Sequence, residues 1–404
     1  MMKRHSIVSV LGFLFFITAG VTGADAQDKV ERADWGAISR QPSDGRIILA
    51  VEEVPADGKL PLPTPFDAIV SAYVDVPGRI GPARDAKRVD VSFSGDAKEI
   101  AALPPIAAGK GGIIVLETAE KSAQLADGRI IFSALDANVQ GKTAKLESHP
   151  GNHRIGFWAD ASDYVTWDYN ATRPGMYQVE LTYSLAGGES DITITVGDAS
   201  VAATIKDTGS WYRYTTIALD KLYIAKPGKL TVSVKATKKT GGAVMNLKAV
   251  QLRPTGEGEA ITQGDDGTVL LHSRDATSRG TKVQYEHKPE KNTLGYWVNV
   301  NDQASWTFTI NKPGTFEVEI LQGCGKGSGG AQVNMVLLET TGFGKDQTLS
   351  FTVEDTGHFQ NFIPRNIGKL TIDKPGEYTF LVKPMKKPGV AVMDLRQVKL
   401  MPAK

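Results

Sequence analysis

The chain of 404 residues contains an internal repeat, and this repeat constrains the fold more than any other feature. With a shift of 139 residues, residues 127–180 align with 266–319 without a gap; with a shift of 148, residues 207–254 align with 355–402. The second copy therefore has nine more residues than the first, which we place in its glycine-rich stretch QGCGKGSGG. A unit of about 130 residues is too long for a solenoid repeat and has the size of a whole domain. The sequence predicts a tandem duplication of one domain.

Each copy alternates apolar and polar residues in short runs that are separated by turns. YVTWDYNAT in the first copy and ASWTFTINK in the second show this alternation, and Pro-Gly turns follow both runs. Strand-like runs then recur at intervals of about ten residues, which is typical of antiparallel β-structure. We predict an all-β chain, with a small β-sandwich followed by two tandem jelly-roll β-sandwich domains. We assign to the core the tryptophans that recur in both copies: Trp158, Trp297, Trp167 and Trp306.

The N-terminus has the pattern of a secretory signal peptide. Lys3 and Arg4 precede the apolar run IVSVLGFLFFITAGV, and small residues follow at Ala24 and Ala26. We expect cleavage before Gln27, a periplasmic or extracellular location, and no membrane insertion after cleavage. The alternative is a single transmembrane anchor, which the short apolar run disfavours.

The predicted domains follow from the signal peptide and the repeat. Residues 1–26 form the signal peptide, 27–124 a small β-sandwich, 125–256 the first copy and 257–404 the second copy. The 46 basic and 45 acidic residues balance, so nothing in the charge indicates a nucleic-acid partner. The single cysteine, Cys324, cannot form an intramolecular disulfide, and we expect a buried or loop thiol.

The order of five motifs in each copy resembles the carbohydrate-binding modules of the galactose-binding-like β-sandwich type. In the first copy these motifs are IGFW, YVTWDY, RPGMYQVELTY, DTGSW and MNLKAVQL. The resemblance implies that a glycan stacks on aromatic residues of the first and fourth motifs and bonds to the polar residue of the last. Aromatic faces suit the C–H faces of sugar rings, and sugar hydroxyl groups need polar partners. The matching positions are Phe157, Trp211 and Asn246 in the first copy and Tyr296, Phe359 and Asp394 in the second.

The segment before the repeats resembles a different family, the C-terminal β-sandwich of bacterial α-L-fucosidases. DWGAISR, LAVEEVPADGKLPLP, IVSAYV and GGIIVLE follow the order of that domain. In that family the catalytic residues belong to an upstream (β/α)₈ barrel of about 250 residues, which does not fit between the signal peptide and this segment. The resemblance therefore implies a non-catalytic chain.

Cofactors are not expected. The resembling modules often hold calcium through alternating acidic residues in the opening strand, but here those positions carry no carboxylate. They are Ser133, Leu135, His272 and Arg274. The histidines share no spacing typical of metal ligands, and we expect them on the surface or in loops.

The acidic residues that recur in both copies are the candidates for catalysis. Glu180 and Glu319 lie at the polar phase of alternating strands, and we expect them to face solvent. Asp163 and Asp302 precede a strand, where we expect the carboxylate to bond to the backbone of its own turn. Neither pair indicates the acid–base arrangement of a glycosidase.

Glycan binding is therefore the predicted function, with polysaccharide as the partner. The first alternative is a structural or partner-docking accessory protein of a separately encoded glycosidase. The second is a hydrolase related to α-L-fucosidases whose site the motifs do not reveal.

Overall fold

The computed structural model describes residues 30–41, 46–63, 66, 69–75, 89–95, 98–103, 112–118, 121–148, 153–339 and 346–403. The predicted signal peptide lies outside these residues. Within them the secondary structure is β-strands joined by turns, with short 3-10 turns at Ala134–Asp136 and Ser273–Asp275. The predicted all-β fold is confirmed. No helix in the described part of the chain is long and apolar enough to cross a membrane.

The first part of the chain, here called the N-terminal unit (residues 30–118), has its own core around Trp35, Leu49 and Phe93. One antiparallel sheet has the order β1-β2-β3-β9-β5-β6, and β7, β8 and β4 form the end of a larger sheet that continues into the next part of the chain. The strands are β1 Val30–Ala33, β2 Gly36–Gln41, β3 Arg46–Val51, β4 Leu60–Pro61, β5 Ile69–Asp75, β6 Val89–Asp90, β7 Ser92–Ser94, β8 Glu99–Ala102 and β9 Gly112–Thr118.

The first repeat, here called the first module (residues 123–254), packs two antiparallel sheets face to face. One sheet has the order β10-β11-β21-β16-β19 and carries the β13–β14 hairpin on β21; the pairing of β19 with β7 continues this sheet into β8 and β4 of the N-terminal unit. The other sheet has the order β12-β15-β20-β17-β18. The strands are β10 Ala123–Gln124, β11 Ile130–Ser133, β12 Asn138–Gln140, β13 Lys145–Glu147, β14 Arg154–Gly156, β15 Tyr164–Ala171, β16 Gly175–Ser184, β17 Glu189–Val196, β18 Ala199–Lys206, β19 Arg213–Ile224, β20 Gly228–Lys239 and β21 Asn246–Pro254.

The second repeat, here called the second module (residues 261–402), also has two sheets, which are antiparallel except where a short first strand pairs in parallel (Ile261 with Phe308). One sheet has the order β23-β33-β28-β31 with the β25–β26 hairpin attached to β33, and the other has the order β22-β27-β32-β29-β30, with β24 also paired to β27. The strands are β22 Ile261–Thr262, β23 Val269–His272, β24 Thr277–Arg279, β25 Gln284–Glu286, β26 Thr293–Gly295, β27 Gln303–Ile310, β28 Gly314–Cys324, β29 Gln332–Glu339, β30 Gln347–Thr352, β31 His358–Ile372, β32 Gly376–Lys386 and β33 Asp394–Pro402.

The recurring tryptophans fill the space between the two sheets of each module. Trp158 and Trp297 are fully buried, and Trp167 and Trp306 are 2% and 1% exposed. Their assignment to the core is confirmed. Each buried indole ring removes a large apolar area from water, and this stabilises the packing of one sheet on the other.

The nine extra residues of the second module are not all in the glycine-rich stretch, so that placement is wrong. Ile192 and Val333 occupy the same ladder position, and they differ by 141 residues rather than 139. Their partners Ala203 and Phe351 differ by 148. Two extra residues therefore precede β29, in the QGCGKGSGG connection, and seven lie in the sequence between Val333 and Phe351.

A buried network of charges joins the N-terminal unit to the first module. Glu117 of β9 is fully buried, forms an ion pair with Arg129 and accepts a hydrogen bond from Ser71 (2.6 Å). Beside it, Arg253 forms a bidentate ion pair with Glu180 (3.0 and 3.1 Å). The N-terminal unit covers this face of the sheet, so the expectation that Glu180 faces solvent is wrong.

We predict that Glu117→Ala strongly destabilises the junction between the N-terminal unit and the first module. The substitution removes the fully buried carboxylate that pairs with Arg129, although Arg129 still pairs with Asp127 (2.8 Å). Removing one partner of a buried ion pair typically costs about 3–5 kcal/mol of unfolding free energy. Urea denaturation followed by intrinsic fluorescence measures this loss.

The matched control is Glu317→Ala, which removes an ion pair with Lys369 on the exposed surface of the second module. Surface pairs contribute about 0–1 kcal/mol, so this variant should unfold almost as the wild type does. Equal losses in the two variants would contradict a structural role for the buried network.

Candidate functional site

An exposed aromatic residue with strained backbone occurs at the same position of both modules. Phe157 and Tyr296 are 59% and 56% exposed, and their φ angles are 53° and 52°. A left-handed backbone is uncommon for a residue other than glycine and costs about 1–3 kcal/mol. A large apolar side chain that is held out of the core at this cost, in two copies, marks a candidate binding surface.

The buried tryptophan that follows each aromatic residue fixes its position. The indole N–H of Trp158 donates to the carbonyl of Asp163 (3.2 Å), and that of Trp297 donates to the carbonyl of Asp302 (2.8 Å). The tryptophan carbonyls accept hydrogen bonds from the backbone of Val244 and Val392, which lie just before the closing strand of each module. With the tryptophan directed into the core, the preceding residue faces outward.

The carboxylates of Asp163 and Asp302 hold the neighbouring turn. Asp163 is 1% exposed and accepts hydrogen bonds from the backbone of Lys142, Thr143 and Ala144 (2.7–2.8 Å). These donors lie about twenty residues earlier, so the expectation that it bonds its own turn is wrong. Burial alone would raise the pKa of Asp163, but the Thr143 hydroxyl and the backbone donors lower it to about 2. Both aspartates therefore support the site without forming part of it.

Next to Phe157 in the chain, the bare backbone of Gly156 is covered by two polar side chains, Glu147 and Asn246, here called the floor. Glu147 Oε1 and Asn246 Oδ1 each lie within 3.0 Å of the point that a Cβ of residue 156 would occupy, so the two oxygens are less than 6.0 Å apart. Asn246 is 7% exposed, and its Nδ2 donates to the carbonyl of Trp211 (3.0 Å). Its Oδ1 is thereby directed toward Glu147.

Cations flank the floor of the first module. Arg154 forms a bidentate ion pair with Glu147 (2.6 and 3.1 Å), and its guanidinium lies 5.7 Å from the ring centre of Tyr212, which is 60% exposed. The Lys145 ammonium lies 4.0 Å from the ring centre of Phe157. The first module thus presents two exposed aromatic rings, each near a cation, around an amide and a carboxylate.

The second module builds the same surface from other residues. Glu286 Oε1 and Asp394 Oδ1 each lie within 3.3 Å of the point that a Cβ of residue 295 would occupy, and the two oxygens are therefore less than 6.6 Å apart. Lys291 forms an ion pair with Glu286, and its ammonium lies 5.7 Å from the ring centre of Tyr296. One lysine of the β25–β26 turn thus takes the places of Arg154 and Lys145.

Asp394 is the floor residue with the most perturbed titration. It is 6% exposed, and its Oδ2 accepts a hydrogen bond from Gln360 Nε2 (3.2 Å). Burial, reinforced by the charge of Glu286, raises the pKa of Asp394 from 3.8 to about 7. The carboxyl group is therefore largely protonated in mildly acidic solution.

The structure places the six predicted contact residues in two groups. Phe157 and Tyr296 are the exposed aromatic residues, here called the platform of each module, and Asn246 and Asp394 belong to the floors. Trp211 is half-buried and packs against the core of the first module, and Phe359 is half-buried with its ring against the backbone of Gly325. These two rings support the loops beside the floor, and we expect Trp211→Ala to lower stability.

Several site residues were missed from the sequence. Glu147 and Glu286 are identical at repeat-equivalent positions, which is a signal that the alignment of the copies contains. Tyr212 has no equivalent aromatic, since Gln360 stands at its position in the second module. Arg154, Lys145 and Lys291 lack equivalence as well, and only their distances reveal them.

The positions where the resembling modules hold calcium have another role here. Ser133 Oγ accepts a hydrogen bond from the backbone of Leu135 (3.2 Å), and His272 Nδ1 accepts one from the backbone of Arg274 (3.0 Å). Both contacts cap 3-10 turns. Among the described residues, no group of three or more His, Cys, Asp or Glu side chains is arranged to hold a metal ion.

Comparison with known proteins gives one family match. A family described as a domain of unknown function, DUF5077, matches residues 138–256, which is less than a third of the chain. No curated protein matches the chain.

Solved structures with a similar arrangement of strands include modules and larger enzymes. A family 35 carbohydrate binding module from Clostridium thermocellum has 19% identity and a TM-score of 0.27, covering 31% of this chain and 96% of that chain. CBM35 from Paenibacillus barcinonensis has 20% identity and a TM-score of 0.26, covering 30% and 96%. Paenibacillus xanthan lyase has 14% identity and a TM-score of 0.30, covering 91% and 35%. At these identities and TM-scores the likenesses say nothing about what this chain binds, and the fucosidase-like assignment of the N-terminal segment stays a prediction.

We predict that Asp394→Asn stabilises the second module at pH 8 and has little effect at pH 4. The folded pKa of about 7 lies above the ordinary 3.8, so the folded state holds its proton more tightly. That stabilisation is complete below about pH 4 and is lost as the pH rises through 7, at roughly 1.4 kcal/mol per pH unit. An amide does not titrate in this range, so the variant does not lose this stabilisation as the pH rises. The first module carries an amide at the same position. Calorimetric unfolding at both pH values measures the difference.

Asp373→Asn is the matched control for this prediction, because Asp373 is an exposed carboxylate just after β31. Its melting temperature should follow that of the wild type at both pH values. A shift in Asp394→Asn that is the same at pH 4 and pH 8 would rule out the raised pKa as its cause.

Proposed function

We propose that the protein is a non-catalytic glycan-binding protein with one binding surface in each module. The observation that carries this proposal is the repetition of one arrangement: an exposed aromatic residue at positive φ beside a floor of a glutamate and an amide or carboxyl group. Two copies that differ in most surface residues share this arrangement, which the packing of the core does not require.

The chemistry of the surface suits a neutral sugar. A pyranose ring can place its C–H face on Phe157 or Tyr296, which buries apolar area on both sides. Its hydroxyl groups then reach the floor, where Glu147 and Asn246 Oδ1 accept hydrogen bonds in the first module. Hydroxyl groups that are covered without partners would cost binding energy, so the floor selects ligands with suitably placed hydroxyls.

The non-catalytic part of the proposal has support from the charges. Glu147 and Glu286 are each held by a cation, Arg154 and Lys291, which favours a fixed, ionised hydrogen-bond acceptor over a catalytic acid. The signal-peptide pattern of residues 1–26 supports export to the periplasm or the medium, where polysaccharides are available. Docking of a separately encoded glycosidase is compatible with this role.

We predict that Phe157→Ala and Tyr296→Ala each weaken retention by polysaccharide and that the double variant abolishes it. Affinity electrophoresis through native gels that contain xylan, glucomannan or polygalacturonate measures retention against gels without polysaccharide. Loss of a stacking platform typically costs about 1–3 kcal/mol, or roughly five- to a hundred-fold in affinity. Because both side chains are exposed, the melting temperatures should change little.

Leu270→Ala is the matched control, since Leu270 is 47% exposed on β23 and is paired with Lys399 of β33, which belongs neither to the exposed aromatic positions nor to the floor. It should be retained as the wild type is. Equal retention of the wild type and the double variant on every polysaccharide would refute the proposed surfaces. Turnover of a chromogenic fucoside, if lost on substitution of Glu286, would favour the hydrolase alternative instead.

A further inference from the structure

The floors of the two modules differ in one decisive residue. Asn246 of the first module is replaced by Asp394 in the second, while the facing glutamate and glycine are retained. We propose that Asp394 and Glu286 act as one acidic pair that makes glycan binding by the second module depend on protonation, whereas the first module binds independently of pH. This inference rests on the proposed function and concerns the regulation of the same site.

The hydrogen bonds of Asp394 locate the proton. Its Oδ2 accepts from the amide of Gln360, so a proton on the carboxyl group belongs on Oδ1. Oδ1 is the oxygen that faces Glu286 across the bare backbone of Gly295. The protonated floor therefore offers one donor and one acceptor to a pair of sugar hydroxyls, and the deprotonated floor offers two acceptors that both carry charge.

The groups around Asp394 leave its charge poorly compensated. Glu286 of β25 is negative and is paired with Lys291 of the following turn. Arg396, on the same strand as Asp394, donates to the carbonyls of Glu290 and Lys291 (2.6–3.2 Å) and lies 3.7 Å from the ring centre of Phe362.

Strands β31 and β28 place uncharged groups near Asp394. From β31 comes the neutral amide of Gln360, and from β28 comes the buried Cys324 thiol, whose pKa burial raises to about 11. Lys291 and Arg396 both favour the charged form of Asp394, but burial and the charge of Glu286 outweigh them, and the pKa of Asp394 is raised.

A bound neutral glycan further favours the protonated form of Asp394. Covering the floor removes water from Asp394 and Glu286, and removal of water disfavours the charged form of a carboxyl group. By linkage, a ligand that binds the protonated form more tightly loses affinity as the pH rises above the pKa of that group. In the first module Asn246 has no proton to lose in this range, so its affinity stays constant.

The experiment uses the full-length protein with one surface inactivated at a time. Phe157→Ala reports on the second module and Tyr296→Ala on the first, each in gels that contain xylan, glucomannan or polygalacturonate at pH 6 and pH 8. We expect retention of Phe157→Ala to weaken at least fivefold between pH 6 and pH 8, and retention of Tyr296→Ala to change less than twofold. Adding Asp394→Asn to Phe157→Ala should abolish the pH dependence while retention persists.

Each outcome decides the inference. A pH dependence that survives Asp394→Asn, or equal pH dependence in both single variants, overturns it while the proposed function stands. Retention of the wild type on none of the three polysaccharides overturns the proposed function and this inference together. Carbon-13 NMR titration of aspartate carboxyl groups gives an independent readout: a resonance that titrates near pH 7 and disappears in Asp394→Asn supports the pair, and titration of Asp394 near pH 4 overturns it.

Discussion

The hydrogen bond from a core tryptophan to the carbonyl of a buried aspartate is the interaction on which both candidate sites depend. Trp158 and Trp297 fill the space between the sheets, and their indole groups bond to the carbonyls of Asp163 and Asp302. The carboxylates of the same aspartates hold the turn that leads into the β13–β14 and β25–β26 hairpins. Core packing and loop geometry are thereby coupled, and the strained aromatic residue before each tryptophan can point outward without loss of the fold.

Duplication has preserved this geometry while the electrostatics of the floor have changed. In the first module Arg154 and Lys145 lie beside one carboxylate and one amide; in the second, Lys291 pairs with Glu286, and Arg396 is a second cation near the additional carboxyl group of Asp394. A rigid scaffold allows such changes because the backbone of Gly156 or Gly295 sets where the floor oxygens lie. The two copies are therefore equivalent in shape and different in charge.

The sequence was sufficient for whatever depends on local alternation and on comparison of the two copies. The strands, the buried tryptophans and the closing strand that begins at Asn246 or Asp394 follow from such patterns. Glu180 was misjudged because alternation shows which face of a strand is polar but not that the N-terminal unit covers it. The position of the insertion and the cations beside the aromatic rings depend on register and on distance, which residue types do not encode.

The junction between the modules bears on how two weak sites would act together. Arg173 of the first module donates to the carbonyls of Ser278 and Gly280 in the second (2.9 and 3.1 Å), and Thr172 donates to that of Thr281 (3.1 Å). Such contacts restrict the relative orientation of the modules, so the second binding event on one polysaccharide would depend on the spacing of suitable sugars rather than on linker length. A fixed spacing of the two sites adds affinity for polysaccharides whose suitable sugars have that spacing, and it adds none for other polysaccharides. If the second surface also weakens above pH 7, the gain from two-site binding would be restricted to acidic and neutral solution, and a single site would remain in alkaline solution.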